Sequence, residues 1–250
     1  YRGGLPGAGW DGSKVKTEIA ETKDVVARVD EMKPIHRKSP TMGKEAPSGA
    51  LVIFNGYDTS YIEGKIEEGL LWAGAVTSEP VGDFFLHVEF RLPYKPARNL
   101  SSQDRGNSGL YIFNNYEVQI LDSFGLDLSA ENNAVEMNSA NTQWCGSLYK
   151  FKTSDVPMSF PPLAWQTYDI DFTAPRFEEE KKVANARITI RHNGRVIHDD
   201  VELPKGTGNG GKRPEKTEGL IHFQSHGNPV AFRNIWLEKK KPLPVSENQE

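Results

Sequence analysis

Two stretches of the chain carry side chains that could do acid–base chemistry. Residues 106–122 read as strand, turn, strand. In Tyr116-Glu-Val-Gln-Ile120, Tyr116, Val118 and Ile120 share one face, and Glu117 and Gln119 share the other, roughly 7 Å apart along the strand. A carboxyl beside an amide, backed by an apolar face, suits a sheet that packs on one side and meets a ligand on the other. In residues 220–236, His222, Gln224 and His226 have one parity, and Ile221 and Phe223 the other. The turn signal His226-Gly-Asn-Pro229 puts His226 at a strand end, where an imidazole can reach into a groove. Arg233 follows on the next run. Without a ligand, the same patterns describe a solvent-facing strand, a structural histidine and a sheet-surface ion pair.

Other chemistries fit poorly. The chain has no Gly-x-Ser-x-Gly elbow, no phosphate loop and no His-Glu-x-x-His. Gly106-Asn-Ser-Gly109 reads as a tight turn opening a strand. The glycine-rich piece at 206–211 lies among Lys, Arg and Pro and reads as a mobile loop. Asp122, Asp127, Glu131 and Glu136 could offer oxygen ligands to calcium, but their spacing matches no loop template. No cofactor is expected, and a divalent cation is left open.

The elements that must position these residues are short strands. From Leu51 onward the chain alternates runs rich in Val, Ile, Phe, Tyr and Thr with Gly, Pro and Asn clusters. The runs fall at 50–54, 70–75, 84–92, 108–113, 117–122, 146–149, 165–172, 186–192, 195–203, 220–224 and 232–239. In 84–90, Phe84, Leu86, Val88 and Phe90 share one face, opposite Phe85, His87 and Glu89. Asn193-Gly194 is the strongest short hairpin signal in the chain. The expected architecture is therefore all-β: a two-sheet jelly-roll sandwich over residues 49–240. Residues 1–48, rich in Gly, Pro, Lys and Glu, read as an irregular N-terminal arm on the domain, with a short helix or strap at 17–32, or as a partly disordered leader. Residues 241–250 read as a solvated tail.

Composition narrows the function classes. Of the 250 residues, 37% are hydrophobic and 23 are glycine, an ordinary globular share that excludes disorder throughout. Thirty basic residues against 34 acidic ones give a net charge of −4, which disfavours a nucleic-acid surface. No apolar run approaches the length of a membrane span. The single cysteine, Cys145, excludes an intrachain disulfide and a multi-cysteine zinc site.

Glu117-Val-Gln-Ile-Leu-Asp122 has the spacing of the Glu-x-Asp-x-x-Glu strand of laminarinase-type retaining β-glucanases. A retaining pair needs its carboxyls about 5–5.5 Å apart. Residues five apart on a regular strand face opposite ways, so this use requires a bulge, and the middle acid is an amide here. A wider set of motifs resembles another family, the 3-keto-disaccharide hydrolase domain, formerly domain of unknown function 1080. The matching pieces are Val81-Gly-Asp-Phe-Phe-Leu-His-Val-Glu-Phe90, Arg105-Gly-Asn-Ser-Gly109, Tyr116-Glu-Val-Gln-Ile-Leu-Asp-Ser123, Gly146-Ser-Leu-Tyr149, Trp165-Gln-Thr-Tyr-Asp-Ile170, Ala174-Pro-Arg-Phe177, His192-Asn-Gly194, His198-Asp-Asp-Val-Glu-Leu203 and His226-Gly-Asn-Pro-Val230 through Arg233-Asn-Ile-Trp236. They occur in family order across about residues 50–238. Two departures bear on substrate choice and on activity itself. The family's Gln-Asp-His-Gly-Asn-Pro is Gln224-Ser225-His226-Gly-Asn-Pro229 here, without the acid, and residues 125–144 are longer and richer in Asn than the pattern.

This resemblance implies a concanavalin A-like lectin/glucanase fold and cleavage of glycosides oxidised at C3, through proton removal at C2, elimination and hydration. For that chemistry Glu117 or His226 is expected as base or acid, and Gln119, Gln224 and Arg233 are expected on sugar hydroxyls or the enolate oxygen. Tyr111 and Trp144 are expected to offer stacking faces, Arg105 to orient the loop or an anionic group, and Trp165 and Trp236 to belong to the core. The expected partner is an oligosaccharide or glycoside, and the expected location periplasmic or secreted, with any export signal outside this chain. The alternative from a different class is a non-catalytic carbohydrate-binding module on the same fold.

Overall fold

The computed structural model describes residues 38–99, 102–125 and 140–241. The expected strap or helix at 17–32, the acids Asp127, Glu131 and Glu136, most of the Asn-rich segment and the tail beyond Lys241 lie outside them.

Among the described residues one sheet contains eight strands: β1 (Leu51–Phe54), β3 (Ile66–Glu67), β4 (Leu70–Trp72), β6 (Phe84–Arg91), β9 (Trp165–Thr173), β12 (Ala186–His192), β13 (Arg195–Leu203) and β15 (Ala231–Lys239). Five form a second sheet: β2 (Ile62–Glu63), β5 (Ala75–Thr77), β7 (Ser108–Ile112), β8 (Tyr116–Ile120) and β14 (Ile221–Phe223). A separate pair joins β10 (Arg176–Glu178) to β11 (Lys181–Ala184). The first sheet runs β13-β12-β9-β6-β15-β4-β3 with β1 also on β15, and the second β2-β5-β14-β7-β8. The recorded pairings are antiparallel. The fold is the two-sheet jelly-roll sandwich the strand pattern implies.

Alternation along the strands builds the core. Leu86, Val88 and Phe90 of β6 and Tyr168, Ile170 and Phe172 of β9 turn inward and are fully buried. They meet Leu110, Ile112, Tyr116, Val118 and Ile120 of the other sheet. Rings pair across the layer: Tyr116 with Phe172 at 5.4 Å between centroids, and Phe223 with Phe232 at 5.0 Å. Each such buried ring contributes roughly 1.5–3 kcal/mol. The Asn193-Gly194 hairpin closes β12 on β13 with both residues at positive φ, 49° and 77°. Glycine is required at 194 twice over, because a Cβ there would lie 2.3 Å from Pro40 Cγ.

Two expected strands differ. The run 70–75 is cut at Ala73-Gly74, sending β4 and β5 to different sheets; Gly74, at φ 105°, makes the turn. Residues 146–149 form turns, touching β8 through the isolated Val118–Leu148 bridge.

The polar parity of β6 is not water-facing. His87 and Glu89 are buried beneath residues 39–44, which cross the outer face of the eight-stranded sheet. Ser39 and Thr41 hydroxyls meet Thr167 Oγ1 at 2.6 and 2.7 Å, and Trp236 Nε1 donates to Lys44 O at 3.1 Å. Glu89 accepts from Gly43 N–H (2.5 Å), Arg233 Nε (2.7 Å) and Asn234 Nδ2 (3.0 Å). Burial pushes its pKa up, but hydrogen bonds from His87, Asn234, Gly43 and Arg233 outweigh this and bring it down to about 2. A depressed carboxyl stabilises the fold above its unfolded value and loses that contribution as pH falls through the folded one. Stability should therefore drop by about 3 kcal/mol between pH 4.5 and 2 on account of Glu89. Denaturant midpoints against pH, for wild type and Glu89→Gln, check this: a drop of the same size in the variant would refute the assignment.

Candidate active site

The outer face of the five-stranded sheet carries an unbroken row of cross-strand neighbours. Glu63 opposes Val76, Val76 opposes His222, His222 opposes Tyr111, and Tyr111 opposes Glu117. The next row pairs Gly109 with Gln119, and Gln224 N–H donates to Gly109 O at 2.9 Å. The parity read from β8 and β14 therefore brings Glu117, Gln119, His222 and Gln224 together with Tyr111. Residues directly opposite on one face stand about 4.5–5.5 Å apart at Cβ, close enough to act on one ligand.

Glu117 is the chemical centre of this face. It is 2% exposed. Tyr111 Oη donates to its Oε2 at 2.6 Å. The Gln119 amide, turned to satisfy its neighbours, donates to Ser108 O at 3.1 Å and to Glu117 Oε1 at 3.2 Å. Burial raises the Glu117 pKa to about 7, against the Tyr111 hydrogen bond and the Lys150 charge, which both pull it down. The carboxyl is thus divided between acid and base forms at neutral pH, which suits proton transfer. Gly109 leaves the floor beside it bare. A Cβ there would lie 2.8 Å from Glu117 Oε1 and 3.4 Å from Gln224 Oε1, so both oxygens converge over the glycine.

A cleft of about 410 Å³ opens on this face, lined by Tyr111, His222, Gln224, Ser225, Asn209 and Arg213 among others. Its size suits a small-molecule ligand. His222 Nε2 and Gln224 Oε1 are buried there without a hydrogen-bond partner. Such atoms are costly unless a ligand or water completes them. Burial, then the Arg213 charge, depress the His222 pKa, so the imidazole is neutral at pH 7.

Four expected site residues stand elsewhere. His226 is exposed in the turn after β14 and does not line the cleft, because the strand ends at Phe223; His222 occupies that position on the face. Arg233 lies on β15 in the other sheet, bonded to Glu89 and stacked on Trp165 at 4.0 Å, so it cannot share a ligand with Glu117. Trp144 is fully buried and offers no stacking face. Arg105 forms a buried ion pair with Asp122 and donates to Arg98 O at 3.0 Å, tying residues 95–98 to the end of β8. That pair also bears on the two-carboxylate scheme. The β7–β8 ladder runs without a register shift as far as Ile120, and beyond it Arg105 occupies the Asp122 carboxyl.

Arg213 and Asn209 are cleft residues that the sequence reading did not select. Their segment reads as a mobile loop, but it packs as a short 3-10 turn (Gly208–Lys212) against the start of β8. A Cβ on Gly210 would lie 2.1 Å from Asn115 O, so the glycines serve close backbone approach. The clustered glycines were the available signal. Among the described residues no group of three or more His, Cys, Asp or Glu side chains is placed to hold a metal ion.

The profile of a family described as the 3-keto-alpha-glucoside-1,2-lyase-like domain matches residues 10–238. The chain belongs to that family. A carbohydrate-related function follows for this lyase-like domain, and with it an oligosaccharide substrate class. A candidate glycosyl hydrolase from Parabacteroides distasonis ATCC 8503 is 28% identical, with a TM-score of 0.64 over 78% of this chain and 85% of that one. A second candidate glycosyl hydrolase of the same organism, 16% identical, shares the fold at a TM-score of 0.57 over 78% of this chain and 95% of that one. A search of curated proteins found no match. No helix among the described residues is long and apolar enough to cross a membrane.

Proposed function

We infer that this domain breaks the glycosidic bond of a 3-keto-glycoside by elimination, with Glu117 as the base. The observation that carries this reading is one buried carboxyl, balanced near neutral pH, beside the unpartnered His222 and Gln224 atoms of the cleft. A C3 ketone acidifies the C2 proton. The Glu117 carboxylate, reached over Gly109, accepts that proton, and the freed electron pair delocalises onto the C3 oxygen as an enolate. Return of the pair forms C1=C2 and breaks the C1–O bond, and the departing oxygen takes up a proton. Addition of water at C1 with a proton at C2 then gives net hydrolysis. Neutral His222 and the Gln224 amide are placed to meet the C3 oxygen and the ring hydroxyls. Tyr111 and Gln119 hold the carboxyl in place, and their hydrogen bonds favour its charged form. One base and a set of neutral donors suffice for this route, whereas ordinary glycoside hydrolysis needs two carboxyls. Trp144, withdrawn into the core, weakens the binding-module alternative, which needs exposed rings for stacking.

A panel of 3-keto-glycosides and their unoxidised parents, with released aglycone as the readout, tests the reading. Turnover of the 3-keto compounds alone is the expected result. Cleavage of the unoxidised parents, or saturable binding with no turnover, would overturn it.

A further inference from the structure

We propose that the sugar residue seated in the cleft is acidic, and that Arg213 pairs with its carboxylate. This rests on the reading above and names the substrate class of the same site.

Apart from Glu117, which meets the ligand over Gly109, no Asp or Glu is among the described residues at the cleft. The guanidinium of Arg213 makes no ion pair or side-chain hydrogen bond to any described residue, although its backbone is anchored at both ends of the peptide unit. Its N–H donates to Gly210 O at 3.1 Å, and its carbonyl accepts from Asn115 Nδ2 at 3.3 Å. Glu215, the nearest acid in sequence, is engaged elsewhere, by Tyr116 Oη and by Lys182 Nζ. The Arg213 charge reaches both Tyr111 and His222. Lys150 also bears on Glu117 as a positive charge, and its ammonium lies 5.4 Å from the Tyr149 ring centroid. Two cations therefore act on the reacting row.

Ser225, a neutral side chain, also lines the cleft. The neighbouring cavity, about 880 Å³, shares Asn114 with the cleft but is walled by Glu179, Glu215 and Glu218 against one cation, Lys216. Acids outnumber bases there, so an anion is better placed in the cleft. The planar fork of an arginine matches a carboxylate with two parallel hydrogen bonds.

The test compares a 4-nitrophenyl 3-keto-glucuronide with the corresponding 3-keto-glucoside, in both anomers. The expected result is a kcat/KM higher for the uronide by about 10- to 100-fold, the worth of a charge-assisted hydrogen bond, and falling as salt is raised. Arg213→Gln should bring the ratio of the two to about one. Ser225→Asp, at an exposed position that the fold tolerates, should lower the ratio as well. A ratio of one or less in the wild type, or an equal loss on both substrates in Arg213→Gln, would overturn the proposal and leave the elimination reading intact. If neither 3-keto compound turns over, the elimination reading fails and binding decides the present one. Methyl glucuronide held more tightly than methyl glucoside, with the difference abolished by Arg213→Gln, supports the acidic ligand; equal affinities sink it.

Discussion

Glu117→Gln should lower kcat on a 3-keto-glycoside by about 10³- to 10⁴-fold, the upper part of the range for losing a positioned general base. The substitution is nearly isosteric, and the amide oxygen can still accept from Tyr111, so the site keeps its shape. In the wild type, the carboxylate is the active form and its pKa is about 7. The rate of the free enzyme should therefore climb tenfold per pH unit below 7 and level off above it. The variant should lose that limb. Stability should move the other way. A carboxyl whose folded pKa is raised above 4.5 binds its proton more tightly folded than unfolded, so stability declines as pH rises from 4.5 toward 7. Above pH 7 the wild type carries the full cost of a buried charge, about 3 kcal/mol, and Glu117→Gln removes it. A variant at once far less active and more resistant to denaturant at pH 8 identifies a site held at the expense of stability. Unchanged turnover would remove Glu117 from the chemistry.

Gly109→Ala should cost on the order of 10²-fold in kcat/KM, since a displacement of about an ångström at a reacting group is enough for that. The new methyl would lie 2.8 Å from Glu117 Oε1 and 3.2 Å from its Cγ. The carboxyl cannot swing aside freely, because Tyr111 holds Oε2, β7 pairs with the backbone on one side, and Thr207 Oγ1 and Tyr149 N–H bond its N–H and carbonyl on the other. The methyl also fills the space through which a substrate C–H would approach. The expense to the fold should be smaller, roughly 1–3 kcal/mol of overpacking. Circular dichroism and a denaturation midpoint separate the two effects. Near-wild-type kcat/KM in a folded variant would mean that substrate does not come over Gly109.

Much of this architecture was legible locally. The alternation in 84–90 and 116–120, the Asn193-Gly194 turn and the breaks at Gly and Pro depend on residues a few places apart, and strand period and turn chemistry are read at that range. They were enough for an all-β sandwich, and for Glu117 and Gln119 on one face with His222 and Gln224 on another of like kind. Partner choice is not local. A strand's side-chain pattern does not say which strand it will pair with. Arg233 looked like a neighbour of Gln224 because nine residues separate them, yet the chain crosses between sheets at Asn228–Val230 and carries it to Glu89. Trp144, in a polar segment, reads as an exposed platform but is fully buried. His87 and Glu89 read as a wet face until residues 39–44 cover them.

The strands, their inward faces, and the carboxyl–amide and imidazole–amide pairs that could do chemistry are readable from the chain alone, because they follow from the two-residue period of extended chain. That Tyr111 lies between Glu117 and His222, that Gly109 opens the floor and that Arg213 reaches the cleft follow from the fold. His222 joins the row because β14 pairs with β7, more than a hundred residues away, Arg213 reaches it through the close approach of the 208–212 turn to Asn115, and burial brings a single carboxyl close to neutral pH.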